Sequence, residues 1–469
     1  MSQYSLLKDS DIPPLADGVL AVLEDVGILC ENEELLAKLD QAGARVDYTN
    51  QRAKFPSQMV SEFVEGFRQE SRPSAGALSF TAPPLPTLNT QVAQLYYDYS
   101  QQRRRPGNKQ DFIHLIKLGD VLHPGEGVGH SLVLTEVPPI LEPLEAAMLL
   151  AEYAHQPQPA FAWNVQQIDY LAEMGEILGI ADWFTWGAIC IAHPLRFDKV
   201  VADKFVQRVK AGVPTGLTAM PVAGATTPVT VEGFIVVASA ELLAAWIAAR
   251  ALNPEVGLAG DMWAGTVDMK TGTVSYSAFD AMYYAFACVE FVRRWCGISI
   301  PVGGGEYCDA KVPGLYTALE KAYKAMTIAA FTGQHPTIGQ GMLEEGKTIS
   351  PVQLLLERDL ATGLQGIGGG LVPTPDMIGL SAIHQVDLGL HTSYLETEHT
   401  LNHFRHSLWL PEFIERAGWD GPDAEKQVLD RTQEKVDSLI AQYSKPEGRG
   451  EQLAAMRAVV EKAKADLGV

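Results

Sequence analysis

Four of the chain's eleven histidines fall within nineteen residues, HTSYLETEHTLNHFRHSLW at 391–409, interleaved with Glu396, Glu398 and Arg405. His399, His403 and His406 are spaced i, i+4, i+7, so on a helix they share one face. Leu401, Phe404 and Leu408 would form a buried stripe on another face. Imidazoles at i, i+4 are the first two ligands of the HExxH zinc motif, but Thr400 stands where that motif has its general-base Glu. Glu396 and His399 make one ExxH, and a di-iron site needs a second such helix, which the sequence does not offer. We therefore expect no metal here and read these histidines as lining a pocket or packing beside one.

Other chemistry-bearing residues are scattered. Gly303-Gly304-Gly305 and Gly368-Gly369-Gly370 could cradle an anion, but neither carries a Walker lysine, and tight turns explain both equally well. Cys308 beside Asp309 has no histidine neighbour in sequence, which makes a thiol nucleophile a weak reading. The stretch TAMPVAGATTPVTVEG at 218–233 packs small residues, two prolines and four threonines into one turn. Such a turn lets a flat ligand approach the backbone, although helix capping also selects Thr and Pro. Tyr97, Trp163, Trp183, Trp186, Trp263, Tyr283, Tyr284 and Tyr307 are rings that could wall a cage for a quaternary ammonium by cation–π attraction. The bland alternative is that most of them pack in the core.

The elements that must position these residues follow from periodicity. Residues 12–69 read as helices around two short strands that flank Tyr48-Thr49-Asn50, with Gly43 ending one helix and Pro56 opening the next. A Pro-, Ser-, Thr- and Ala-rich linker follows at 72–92. From 109 onward helical stretches (111–121, 143–155, 168–178, 198–211, 229–253, 277–296, 314–332) alternate with short apolar strands (159–164, 185–192, 214–220, 257–260, 298–302). Continuous apolar strands between helices indicate a parallel sheet buried on both faces. No GxGxxG follows the first strand, so a (β/α)8 TIM barrel is favoured over a doubly wound sheet. The expected organisation is an N-terminal α+β module with linker at 1–92, a barrel at 93–410, and C-terminal helices at 411–469. The amphipathic start at 411–417 and the charged helices 424–443 and 451–467 read as an outer cap or a contact with a second copy. On a barrel, catalytic groups sit just after the strands, which singles out Glu136, Asn164, His193, Met220 with Gly224, Asp261 with Trp263, and Glu306-Tyr307-Cys308-Asp309 with Lys311.

Composition excludes several classes. A net charge of −21 over 469 residues disfavours nucleic acid and anionic membrane as partners. The longest apolar run, 234–249, contains Ser239 and Glu241 and reads as a buried helix. Five cysteines without a CxxC pair, behind an N-terminus lacking an export signal, point to the cytoplasm.

Several separated blocks resemble the trimethylamine methyltransferase family: PVAGATTPVTVEGF (221–234) with ASAELLA (238–244), DAKVPGLYTALEKA (309–322), YLETEHTLNHFRHSLWLPE (394–412), and the opening LAVLEDVGI (20–28) and AGARVD (42–47). The resemblance implies a (β/α)8 barrel that moves a methyl group from an amine to the cobalt(I) of a corrinoid, a cobalamin-type cofactor carried by a separate partner protein. Relatives that use trimethylamine carry pyrrolysine. This chain has standard residues only and resembles the pyrrolysine-free branch, whose substrates are quaternary amines such as glycine betaine. It departs from many relatives at Gly314-Leu315-Tyr316, where they resemble Asp-Ala-Gln.

Methyl transfer from a quaternary nitrogen expels a neutral amine, so positioning carries much of the catalysis and no general acid is required. For that chemistry the candidate catalytic residues are His399, Asp309 and Lys311. Candidates for holding the substrate are Tyr97, Trp163, Trp263, Tyr307, Glu306, His391 and Arg405, the aromatics for the cation and the cationic groups for a carboxylate. The small residues Gly224, Thr226 and Thr227 are candidates for admitting the corrin ring. Two other classes stay open: a barrel lyase or isomerase using Asp309, Lys311 or Glu306 in proton transfer, and a non-enzymatic betaine-binding protein.

Overall fold

The most apolar stretch forms a single helix, Val231–Leu252, started by Thr230, whose hydroxyl accepts the Gly233 N–H at 3.3 Å. It is long and apolar enough to cross a membrane, yet 72% of its most apolar window is buried within the molecule. Phe234, Leu242 and Trp246 are fully enclosed by the helices Ile12–Ala21, Glu33–Gln41, Lys199–Lys210 and Phe279–Cys296. It is therefore a core helix. This computed structural model describes residues 5–70, 83–89, 91–367, 371, 373–414 and 421–469; the triple Gly368-Gly369-Gly370 lies outside the described residues.

The expected N-terminal helices and hairpin form; most of the expected linker, 72–82, lies outside the described residues. Strands Arg45–Asp47 and Arg52–Lys54 pair antiparallel, with Val46 opposite Ala53, and the helix Ser57–Glu70 follows Pro56. Gly27 (φ +69°) admits this hairpin, since a Cβ there would meet the Ala53 carbonyl oxygen at 2.1 Å. The strand Ile28–Cys30 joins the same sheet and also runs parallel to Arg196–Phe197. One hydrophobic cluster thus runs from Leu23 and Phe55 through Phe197 and Trp246 to Phe291.

The middle of the chain is mixed α/β, as the alternation predicts. Its helices lie close to the expected ranges: Lys109–Leu122, Glu142–Tyr153, Ile168–Leu178, Lys199–Lys210, Phe279–Cys296 and Leu315–Thr332. The strands are much shorter than expected, often two residues. Parallel neighbours recur: Ala93 with Leu132, Val128 with Pro157, Ala160–Phe161 with Phe184–Thr185, Thr218–Ala219 with Asp261–Met262, and Met262 with Val302. Ladder pairing among the described residues yields separate sheets of two to four strands and no closed ring.

One expectation fails informatively. The strands are not buried on both faces. Ala160, Ala162, Ile189, Ile191, Leu217, Ala219, Met262 and Ala264 are buried under the helices, whereas Phe161, Trp163, Cys190, Thr218, Met220, Asp261 and Trp263 alternate with them and remain partly accessible. A period of two in accessibility means one face packed on helices and the other on open space.

The C-terminal helices Ala424–Ala441 and Gly450–Leu467 lie across Lys109–Leu122, Glu142–Tyr153, Ile168–Leu178 and Pro351–Ile367. There Val436, Met456 and Val460 are buried, each contributing roughly 1.5–3 kcal/mol. The helix expected from 411 does not form over 411–414, where Asp359 instead accepts the N–H groups of Glu412, Phe413 and Ile414; residues 415–417 are outside the described residues. The histidine segment does form a helix, Glu398–Ser407, but its expected apolar stripe is not buried: Leu401 is 64% and Leu408 56% exposed. It packs on the short turns Pro375–Ile378 and Leu380–Val386 of an outlying arm rather than on the core. His399 lies against Gly379, and His403 Nε2 is 3.2 Å from Asp376.

Candidate functional site

The partly accessible face converges on a group of rings and carboxyls. Strand Asp261–Met262 sets its centre: the Asp261 N–H bonds to Leu217 O and the Trp263 N–H to Ala219 O, so both side chains point away from the helices. The Trp263 indole lies directly on Gly303, where a Cβ would fall 1.9 Å from its Nε1. The glycine triple therefore serves close packing: Gly303 admits the indole, Gly304 (φ +81°) the Lys324 ammonium, and Gly305 the ring of Pro336. Trp263 meets Tyr307 edge-on at 4.7 Å, and Tyr276 meets Tyr307 edge-on at 6.1 Å. Such pairs contribute about 0.5–1.5 kcal/mol each beyond the area they bury. Trp263, Tyr276, Gly303, Gly304 and Lys324 border, with Met262 and Met282, a crevice of about 10 Å³, room for about one water molecule.

The electrostatics of this group are unusual. Burial pushes the Asp261 carboxyl up to about 6, with the Trp263 and Thr218 side chains opposing the shift. Its Oδ1 and the Trp263 Nε1 are both buried and short of hydrogen-bond geometry, although the indole still favours the ionised carboxyl. Burial and the nearby Asp261 push Cys190 up to about 11, so it stands as a thiol. Burial holds the Tyr307 phenol far above its ordinary value, and Tyr276 is pushed up to about 12. Lys324 is fully buried and donates to Tyr276 O at 2.9 Å and Ser277 Oγ at 3.1 Å, and burial lowers its pKa. Glu345, raised by its own burial, accepts from the Tyr276 N–H at 3.1 Å and Ser277 Oγ at 3.3 Å.

The strand-end residues divide. Trp163 stacks on Phe161 (5.6 Å, 8°) and donates to Glu142 at 2.9 Å, beside His130. His193 accepts the Met220 N–H at Nε2 and gives its Nδ1–H to the fully buried Glu241 at 2.8 Å, a neutral tautomer that fixes the Met220 backbone. Asn164 caps the next turn, and Glu136 accepts from the Lys109 N–H.

The structure brings only some of the sequence candidates together. Trp263 and Tyr307 are in contact, with Asp309 nearby, accepting from Ser275 Oγ at 2.7 Å. Tyr97 is buried against Cys308, Ala310 and Leu343. Glu306 faces the helices, 3.3 Å from the buried Lys321, which also pairs with Glu357 at 2.6 Å. Lys311 is exposed; His391 and Arg405 are exposed on the arm, Arg405 lying over Phe404. Gly224 (φ +87°) turns the chain so that its N–H bonds Thr227 O, while Thr226 Oγ1 accepts the Val222 N–H at 2.8 Å. That turn leans on Met269 of the neighbouring hairpin. Among the described residues no three His, Cys, Asp or Glu side chains assemble as a metal site. Tyr276, Lys324 and Glu345 were not picked out from the sequence, because nothing in their neighbourhood marks them. Asp261 was named by position but given no role.

Partly open rings and a desolvated carboxyl thus share one strand face of a mixed α/β protein. A family model described as trimethylamine methyltransferase matches residues 1–468. The chain belongs to that family, as its motifs indicated. Trimethylamine methyltransferase MttB of Desulfitobacterium hafniense is 22% identical over 98% of this chain and 94% of its own length. The glycine betaine methyltransferase of Desulfitobacterium hafniense Y51 is 20% identical over 95% and 94%. Trimethylamine methyltransferase MttB2 of Methanosarcina mazei is 25% identical over 59% of this chain and 55% of its own length.

Proposed function

We propose that this chain transfers a methyl group from a quaternary amine, glycine betaine or a close relative, to the Co(I) of a corrinoid carried by a separate protein. The observation that carries this reading is the group formed by Asp261, Trp263, Tyr276 and Tyr307 on the accessible face of the strands, in a chain of this family. Rings and a carboxyl suit a methylated ammonium, and Cys190, held as a thiol, offers no competing nucleophile. The bond that breaks is N–CH₃. Its electron pair stays on nitrogen as a neutral tertiary amine, and the methyl passes to the corrinoid, which supplies the electron pair for the new bond. The residues of this chain need only hold the methyl in line and keep water away. The partly open strand face and the small-residue turn at Gly224, Thr226 and Thr227 fit the approach of a flat macrocycle.

The architecture that best unites the parallel neighbours is a (β/α)8 barrel, within the division 1–92, 93–410 and 411–469. Support comes from neighbours running through segments 86–89 with 91–93, 128–134, 157–162, 184–191, 215–219, 258–262 and 300–303. Beyond them Gly305 packs on Thr337, and Arg358 binds the carbonyls of both Gly339 and Pro86, which brings the last segment back to the first. Five free cysteines, four of them buried, suit a cytoplasmic protein.

The arm 371–410 carries Leu371, Leu388, Leu390, Leu395, Leu401 and Leu408 at 56–96% exposure. Its uncovered apolar area is on the order of 1,000 Å², enough for a stable interface. The corrinoid protein must come and go with each turnover, whereas apolar interfaces are the permanent ones, so we assign the arm's cover to a second copy of this chain. It has a counterpart patch in Phe279, Tyr316, Leu319 and Met326, also exposed.

The deciding assay supplies glycine betaine, reduced cob(I)alamin or the cognate corrinoid protein, and this chain, and follows methyl-cobalt formation by absorbance. Formation that depends on both chain and betaine supports the reading. Absence of transfer across a panel of betaines with the cognate corrinoid protein refutes it.

A further inference from the structure

We propose that Asp261 is the counter-charge for the substrate's ammonium and restricts the site to substrates that bring a permanent positive charge between Trp263, Tyr276 and Tyr307. This rests on the function proposed above and deepens it. The motive is a buried carboxyl without a cation: Oδ1 of Asp261 has no well-formed hydrogen bond, and the groups that favour its ionised form are the neutral side chains of Trp263 and Thr218. It lies on the accessible strand face, adjoining Trp263, Thr218, Cys190 and Tyr307, with no cation among the groups that act on it. The buried ammonium groups in this region are engaged elsewhere: Lys324 by Tyr276 and Ser277, and Lys204 by the Ala188 carbonyl. A carboxyl desolvated beside aromatic faces, with no positive partner, is arranged to receive one. The methyl hydrogens of a trimethylammonium carry much of its charge and make C–H···O contacts with a carboxylate.

The kinetic consequence is specific. Nitrogen loses its charge as the methyl leaves, so a carboxylate that binds the cation stabilises the bound substrate more than the transition state. Asp261 is therefore a substrate-selecting residue whose removal weakens binding without slowing the chemical step. There is also a linked proton. Burial places the free carboxyl near pH 6, and a bound cation favours its ionised form, so binding at pH 6 releases a proton. The other titratable groups facing it, the Cys190 thiol and the Tyr307 phenol, are neutral at that pH because both are pushed upward.

The test compares wild type with Asp261→Asn, using glycine betaine and its uncharged-core isostere 3,3-dimethylbutanoate as probes. Wild type should prefer betaine, and the variant should lose at least tenfold in betaine affinity and KM, keep kcat within about threefold, and leave isostere binding unchanged. Calorimetry of wild type in two buffers at pH 6 should show fractional proton release on betaine binding, absent in the variant. That measurement on the native protein stands even where Asp261→Asn folds poorly. Betaine affinity unchanged by Asp261→Asn, a fall in kcat at constant KM, or no proton release overturns the proposal and leaves the methyltransferase reading intact. Failure of wild type to bind or demethylate any quaternary ammonium overturns both.

Discussion

Replacing Trp263 by Phe and by Leu separates ring chemistry from bulk. Trp263 sits 4.7 Å from Tyr307, against Gly303, and borders the same cavity as Tyr276. If these rings hold a quaternary ammonium, deleting one face in a desolvated site costs about 1–2 kcal/mol. At 1.4 kcal/mol per factor of ten, that is roughly a 5- to 30-fold loss of affinity. Phe keeps a ring with a weaker quadrupole and should lose only about two- to fivefold, whereas Leu keeps apolar volume and no ring face. Gly303→Ala is the converse experiment. It leaves the indole in place chemically but puts a Cβ 1.9 Å from Nε1, so the ring must swing away. It should therefore resemble Trp263→Leu in binding and also change tryptophan fluorescence. Titration calorimetry with tetramethylammonium reads all three variants, with circular dichroism as the folding control. Equal affinity in the folded Phe and Leu variants would show that the ring face contributes nothing, and the cage would have to be abandoned.

Glu241 tests the scaffold rather than the substrate. Its carboxylate satisfies both the Nδ1–H of His193 and the N–H of Leu195 at 2.8 Å, so Glu241→Ala strands two buried donors and should cost about 3–5 kcal/mol. In calorimetry the melting temperature should fall by roughly 3–5 °C, and a shift under a degree would contradict this role. For the arm, light scattering of the intact chain should give at least twice the monomer mass. Leu388→Asp with Leu395→Asp should move it toward monomer without altering helix content; a monomeric wild type would end the assignment of a second copy.

How much of this was legible in the sequence depends on the range of the forces involved. The helices were readable because their determinants are local: Thr230, Asn108 and Asp198 cap helix starts, and Gly179, Gly297 and Gly333 close helix ends in left-handed geometry. The Asn50 hairpin was readable for the same reason. The strands were harder. Their inward positions hold Phe161, Trp163, Cys190 and Trp263, residues as apolar as the core positions between them, so an open face was indistinguishable from a packed one. A site for a methylated cation must be built from rings, and rings look like core.

The same logic explains why the histidine segment drew attention it does not hold. Titratable residues at helical spacing are conspicuous in sequence, but the helix Glu398–Ser407 stands on an arm with its leucines uncovered, and His399 packs against Gly379. The better clue was a single charge interrupting an apolar strand. A carboxylate desolvated without a partner costs several kcal/mol unless it protonates or meets a cation. Of the strand-end carboxyls singled out, Glu306 pairs with the Lys321 ammonium and Asp309 accepts from Ser275, while no cation acts on Asp261. Such a cost persists in a folded chain when something outside the chain offsets it. His399 Nε2 is also buried without a partner, but it lies on the arm against Gly379, whereas Asp261 lies beside Trp263; that placement is why the substrate reading turns on Asp261.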